Sequence, residues 1–145
     1  EFNCRFGDPE CQVIVPRLRS DLVPLLEATI DERLGQVAID WDPRAAACVV
    51  LAAAGYPGTY EKGTRIDGLD AAARREATGG AKVFHAGTAR RDASFVTDGG
   101  RVLGVTALGE DVATAVAEAY RSVDLIHWEG MQDRRDIGHR ALRNP

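Results

Sequence analysis

Apolar positions recur at helical spacing early in the chain and again near its end, whereas the middle reads as short extended runs broken by glycine-rich turns. Asp8-Pro9 is a helix-start pair, because Asp can cap free N–H groups and Pro is tolerated at the first helical position. A short helix is expected over Pro9–Val15, ending by Pro16. Ser20 is expected to cap a second helix, with Leu22, Leu25, Leu26, Thr29 and Ile30 as its largely apolar face and Gly35 as its stop. Pro24 removes one intrahelical donor near the start of that helix, where the loss is tolerable.

From Val37 onward short extended segments prevail, which places a boundary near Gly35. The run Ala45–Ala54 fits two elements: alanine favours helix, while an unbroken apolar run between Pro43 and Gly55-Tyr56-Pro57-Gly58 fits a buried strand. Phe95–Thr97 and Val102–Thr106 flank Asp98-Gly99-Gly100 and are expected to pair as a hairpin. Behind Gly109-Glu110-Asp111, the residues Val112, Ala113, Val116, Ala119, Tyr120, Val123 and Ile126 define a helix that should pack against the sheet. Asp133–Leu142 is polar and short.

Composition narrows the function classes. The 145 residues are 45% hydrophobic and 28% charged, as in folded domains of this size, and 18 basic against 22 acidic residues give a net charge of −4. No basic field marks a nucleic-acid binder. The apolar stretch Ala45–Gly55 is too short to span a bilayer, which takes about 20 residues. Cys4, Cys11 and Cys48 are odd in number and not spaced as metal pairs, so free thiols in a reducing, cytoplasmic setting are expected. The chain opens at Glu1 rather than Met, directly on a dense local signal, and is expected to be part of a longer protein.

That signal carries the first candidate chemistry. If residues 1–5 are extended, Glu1, Asn3 and Arg5 share one face and Phe2 points away. Carboxylate and amide oxygens suit a hard divalent cation, and arginine's planar fork suits a phosphate or acyl phosphate. A solvated edge strand would look the same. Asp8 is explained fully by helix capping, which is favoured over a substrate contact.

Glu1-Phe2-Asn3-Cys4-Arg5-Phe6-Gly7-Asp8-Pro9-Glu10 closely resembles the segment that ends the ATP-grasp domain in the phosphoribosylamine–glycine ligase family, the glycinamide ribonucleotide synthetases. Five further blocks resemble the family's C-terminal domain in order: Gly55–Gly58 with Tyr60, Lys62 and Gly63; Ile66–Leu69; Val83–Thr88; Gly99–Leu103; and Asp136–Gly138. The resemblance implies an α+β fold in which residues 1–35 close an ATP-grasp domain and residues 36–145 form a small antiparallel-sheet domain with packed helices. It implies an ATP-dependent carbon–nitrogen ligase that joins 5-phosphoribosylamine and glycine through a glycyl phosphate, giving glycinamide ribonucleotide, ADP and phosphate in purine biosynthesis.

Carried over residue by residue, the resemblance makes Glu1 and Asn3 ligands of Mg²⁺ or Mn²⁺ and Arg5 the catalytic cation. Asp8 becomes the holder of glycine's ammonium group, and Gly55, Tyr56, Lys62, His85 and Thr88 become substrate-facing residues. Each of these has a plainer reading: a tight turn and packing for Gly55 and Tyr56, solvent for Lys62, a hydrogen-bonded wall for His85, a strand end for Thr88. The family's nucleotide-binding glycine loop, adenine pocket and further metal carboxylate are expected in the missing N-terminal and ATP-grasp portions, so this chain alone is expected to be inactive. The alternative is a standalone ligand-binding or dimerisation module derived from such a ligase. Neither nucleic acid nor membrane is an expected partner.

Overall fold

In the computed structural model, residues 4–143 are described. Glu1 and Asn3, and with them the expected metal ligands, lie outside the described residues.

The Ala45–Ala54 ambiguity resolves as strand β1, Ala45–Ala52, which pairs antiparallel with β5, Arg101–Gly109. On the other edge of β5 lies β2, Lys82–His85, also antiparallel, so the order is β1-β5-β2. A separate two-stranded sheet joins β3, Thr88–Arg91, to β4, Ser94–Thr97. The fold is α+β with antiparallel sheets and packed helices.

Strand periodicity divides the main sheet into two faces. Ala47, Val49 and Leu51 of β1 and Leu103, Val105 and Ala107 of β5 point into the core. Helix α4, Val112–Val123, covers that face with Ala115, Val116, Ala119 and Val123, and its first turn is capped by the Asp111 carboxylate, which accepts from Thr114 N at 2.7 Å. Trp128 and Ile126 complete the core just beyond the helix. The opposite face, with Cys48 and Gly104, is met by Gln12 of α1, Glu10–Ile14. A last helix, α5, covers His139–Arg143.

Four expectations need correcting. Phe95–Thr97 does not pair with Val102–Thr106: β5 is occupied on both edges by β1 and β2, so β4 pairs back onto β3 and Asp98-Gly99-Gly100 crosses between sheets. The extended texture after Val37 is interrupted by α3, Leu69–Glu76, whose Ala, Arg and Glu residues are strong helix formers. That helix starts at Gly68, whose φ of 87° and whose contact with the Leu125 carbonyl leave no room for a Cβ. Helix α2, Leu22–Ile30, is capped by Asp21, which accepts from Val23 N, while Ser20 Oγ accepts from Asp40 N at 2.8 Å. Its buried residues are Leu25 and Ala28, and Leu26 and Ile30 stay exposed. Asp8 does not cap α1: Pro9 holds the cap position and the helix begins at Glu10.

Asp42 fastens the N-terminal segment to β1. Its buried carboxylate receives Arg44 Nη2 at 2.8 Å, Arg44 Nε at 3.0 Å and Arg19 Nη2 at 3.3 Å, while its own N–H donates to Arg17 O at 2.7 Å. The Arg44 hydrogen bonds hold the carboxyl well below its ordinary value of 3.8. A depressed native pKa gives stability that is present above the unfolded value and is lost as pH falls toward the native one. Asp42→Asn should therefore lower the midpoint of thermal unfolding at pH 7, and the gap from the parent chain should close as pH falls below about 4. An equal gap at pH 7 and pH 3 would contradict the assignment.

Candidate functional site

The expected substrate-facing residues come from three stretches separated in sequence, and the fold gathers them at one end of the main sheet. Antiparallel pairing puts the exits of β1 and β2 beside the entrance of β5. Hydrogen bonds then tie the loops together. Ala53 N donates to Gly100 O at 2.9 Å, Gly87 N to Arg101 O at 2.9 Å and Asp98 N to Gly87 O at 2.8 Å, while Gly63 N reaches Thr97 O at 2.7 Å.

Glycine makes this convergence possible. A Cβ on Gly87 would stand 2.5 Å from Gly99 Cα and 2.8 Å from Arg101 O, both backbone atoms that cannot turn aside. At Gly100 a Cβ would overlap the Tyr56 ring. Tyr56 in turn lies 6.3 Å, centroid to centroid, from Tyr60.

Within this cluster the individual residues differ. His85 Nδ1 lies 3.0 Å from Thr88 Oγ1, and its ring packs at 4.5 Å on Phe95. Burial pushes the imidazole below its ordinary value, so the ring is neutral at neutral pH and suits hydrogen bonding rather than anion pairing. Lys62 is already engaged by Asp98 at 3.3 Å. Arg5 is exposed and donates to Phe6 O at 3.0 Å.

Next to Tyr56 opens a cleft of about 870 Å³ whose floor is the outer face of β1, with Cys48, Val50 and Ala52. Met131 and Ile137 close one side, and Pro9 and Arg101 stand at the rim. Burial pushes the Cys48 thiol up, so the floor offers no ready thiolate. Asp8 meets this rim with both carboxylate oxygens held: Oδ1 accepts from Gln12 Nε2 at 2.7 Å and Oδ2 lies 3.3 Å from Arg101 Nε. Arg101 Nη1 also donates to the Asp8 carbonyl at 2.7 Å. The pair is exposed, and such pairs contribute only about 0.2–1 kcal/mol to stability. Arg101 stood in one of the resembling blocks without a role, and a lone arginine after two glycines gave no further sign of one. Among the described residues, no group of three or more His, Cys, Asp or Glu side chains is placed to hold a metal ion.

Residues 46–140 match the family described as Phosphoribosylglycinamide synthetase, C domain. The chain belongs to that family. It is 56% identical over 142 residues to the phosphoribosylamine–glycine ligase of Vibrio cholerae and 51% identical over 143 residues to that of Synechocystis, in each case across 98% of this chain. The crystal structure of the phosphoribosylamine–glycine ligase from Thermotoga maritima superposes with a TM-score of 0.72 at 35% identity, covering 94% of this chain and 32% of that one. The chain spans about a third of the length of the curated relatives it matches.

The C domain match begins after the N-terminal helices, and the surface changes character there too. Among the described residues, nine of the twelve exposed large hydrophobic ones fall between Phe6 and Trp41, including Val23, Leu26 and Ile30 along one side of α2. The C domain itself exposes few, and no described helix is long and apolar enough to cross a membrane.

Gly87→Ala tests the convergence of the loops. It should cost about 1–3 kcal/mol in denaturant unfolding, the usual range for overpacking, and should shift the NMR signals of His85 and Thr88. Unchanged stability with unmoved signals would show that the loops are not packed this closely.

Proposed function

We propose that this chain is the C-terminal third of an ATP-dependent ligase that converts 5-phosphoribosylamine, glycine and ATP into glycinamide ribonucleotide, ADP and phosphate. The observation that carries the reading is identity above 50% across 98% of the chain to proteins named for that ligation. In this reading residues 1–35 close an ATP-grasp domain and residues 36–145 form one wall of the substrate site, in a cytoplasmic enzyme of purine biosynthesis.

The proposed roles follow from charge and reach. Asp8 offers a carboxylate to the ammonium of glycine, leaving glycine's own carboxylate free to attack the γ-phosphoryl group. Arg5, exposed and carrying a planar fork, steadies the phosphate or acyl-phosphate charge. Glu1 and Asn3 would hold Mg²⁺ or Mn²⁺, which neutralises charge on the phosphoryl oxygens when bound. Tyr56 and Gly55 shape the rim of the cleft, and Thr88, Lys62 and the neutral His85 offer polar contacts to the phosphoribosyl part. Phosphoryl transfer depends mainly on positioning and electrostatics, so a wall of this kind contributes by holding the reactants dry and aligned.

The apolar side of α2 supports a role inside a larger protein, because exposed apolar surface of this kind marks contact with another body. It fits equally a structural module that braces a larger enzyme, and nucleotide-independent ligand binding by the chain alone would favour the standalone reading. The purified 145-residue chain, supplied with ATP, Mg²⁺, glycine and phosphoribosylamine, should release no ADP above background, whereas the complete ligase should turn over. Turnover by the chain alone would overturn the proposed division of labour, and absence of glycinamide ribonucleotide from the complete protein would overturn the activity.

A further inference from the structure

Arg101 reaches the cleft through an irregularity in the sheet. Leu51 pairs with Leu103 but Ala52 pairs with Arg101, so one residue of β5 is skipped where the strand begins. Without that bulge Arg101 would share the parity of Leu103, Val105 and Ala107, all of which enter the core. With it, Val102 joins Leu103 in the core at 0% exposure, and Arg101 turns to the face of Ala52, Val50 and Cys48, where it lines the cleft. Bulges of this kind re-aim a side chain and are over-represented beside active sites.

The side chain so delivered spans 93 positions of sequence to grip one residue, Asp8, at both its carbonyl and its carboxylate. Gln12 fixes the second carboxylate oxygen from the next turn of chain. A carboxylate held by two donors on its flanks keeps its remaining lone pairs in a set direction, which is what recognition of a small primary ammonium group requires. We infer that Arg101 is a positioning residue that sets the Asp8 carboxylate for the ammonium group of the amino-acid substrate, so that β5 of the C domain tunes a site formed by the preceding segment. This inference rests on the ligase reading and on Asp8 as the ammonium partner.

The test is a double-mutant cycle in the complete ligase. Arg101→Ala should raise KM for glycine roughly tenfold or more while kcat at saturating glycine and KM for ATP change little, as expected for loss of substrate-positioning contacts. Arg101→Lys, which keeps the charge but not the fork, should restore part of the loss. Asp8→Asn should raise KM for glycine at least as far, and adding Arg101→Ala to it should do little more, because the two act as one unit. If Asp8→Asn raises KM for glycine and Arg101→Ala does not, or if their effects multiply, the positioning role is overturned while the ligase reading stands. If Asp8→Asn leaves KM for glycine unchanged in an active enzyme, the ammonium site itself is wrong and the inference falls with it. Equal losses in every kinetic constant, unrescued by lysine, would show Arg101 to be structural only.

Discussion

Strand β5 is the constraint on which the rest of the structure depends. It is paired along both edges, packed by α4 on one face and reached by α1 on the other, and Val102 to Ala107 are all buried. A strand so enclosed has no freedom of register: a slip of one residue would send Thr106 and Gly104 toward α4 and Val105 and Leu103 toward the cleft. The positions of β1 and β2 follow from it, and so does the meeting of the loops at its entrance. Backbone carbonyls at Gly100, Arg101 and Val102 accept from Ala53, Gly87 and Ala86, so the first residues of β5 and the glycine just before it anchor two loops at once.

Two polar clamps then join the N-terminal segment to this frame. Asp42 gathers arginines from both sides of the junction, and Arg101 holds Asp8 at the other end of the segment. Between the clamps, α2 buries only Leu25 and Ala28 and leaves an apolar stripe outside. The segment is thus fixed to the C domain by charge and hydrogen bonding more than by apolar burial. Such an attachment suits a stretch whose apolar side is left for contact with another body.

Much of this was legible from periodicity. The α4 pattern was plain in the sequence, because an amphipathic helix that covers a sheet must repeat its apolar residues every three or four positions, whereas the capping role of Asp111 came only from the structure. Local turn chemistry was less dependable. Asp98-Gly99-Gly100 has the composition of a hairpin loop, but pairing is decided by which strands compete for an edge, and β1 and β2 had already filled both edges of β5. Ser20 and Asp21 are both sound helix caps, and the choice fell to Asp21 because Ser20 accepts instead from Asp40, a contact twenty residues away. The grouping of Gly55, Tyr56, Lys62, His85 and Thr88 was suggested by resemblance alone. No spacing rule relates them, since only the antiparallel sheet brings their loops together. Arg101 was the deepest omission: strict alternation with Leu103 and Val105 would put it in the core, and a bulge is invisible to a period-two reading.

Amide hydrogen exchange in the 145-residue chain tests this dependence most directly. If β5 anchors the loops, the amides of Ala53, Ala86 and Gly87, which donate to the carbonyls of Gly100, Val102 and Arg101 at its entrance, should exchange with protection approaching that of Val105 in the strand itself. Exchange of those amides at the rate of open loops, while Val105 stays protected, would contradict the account.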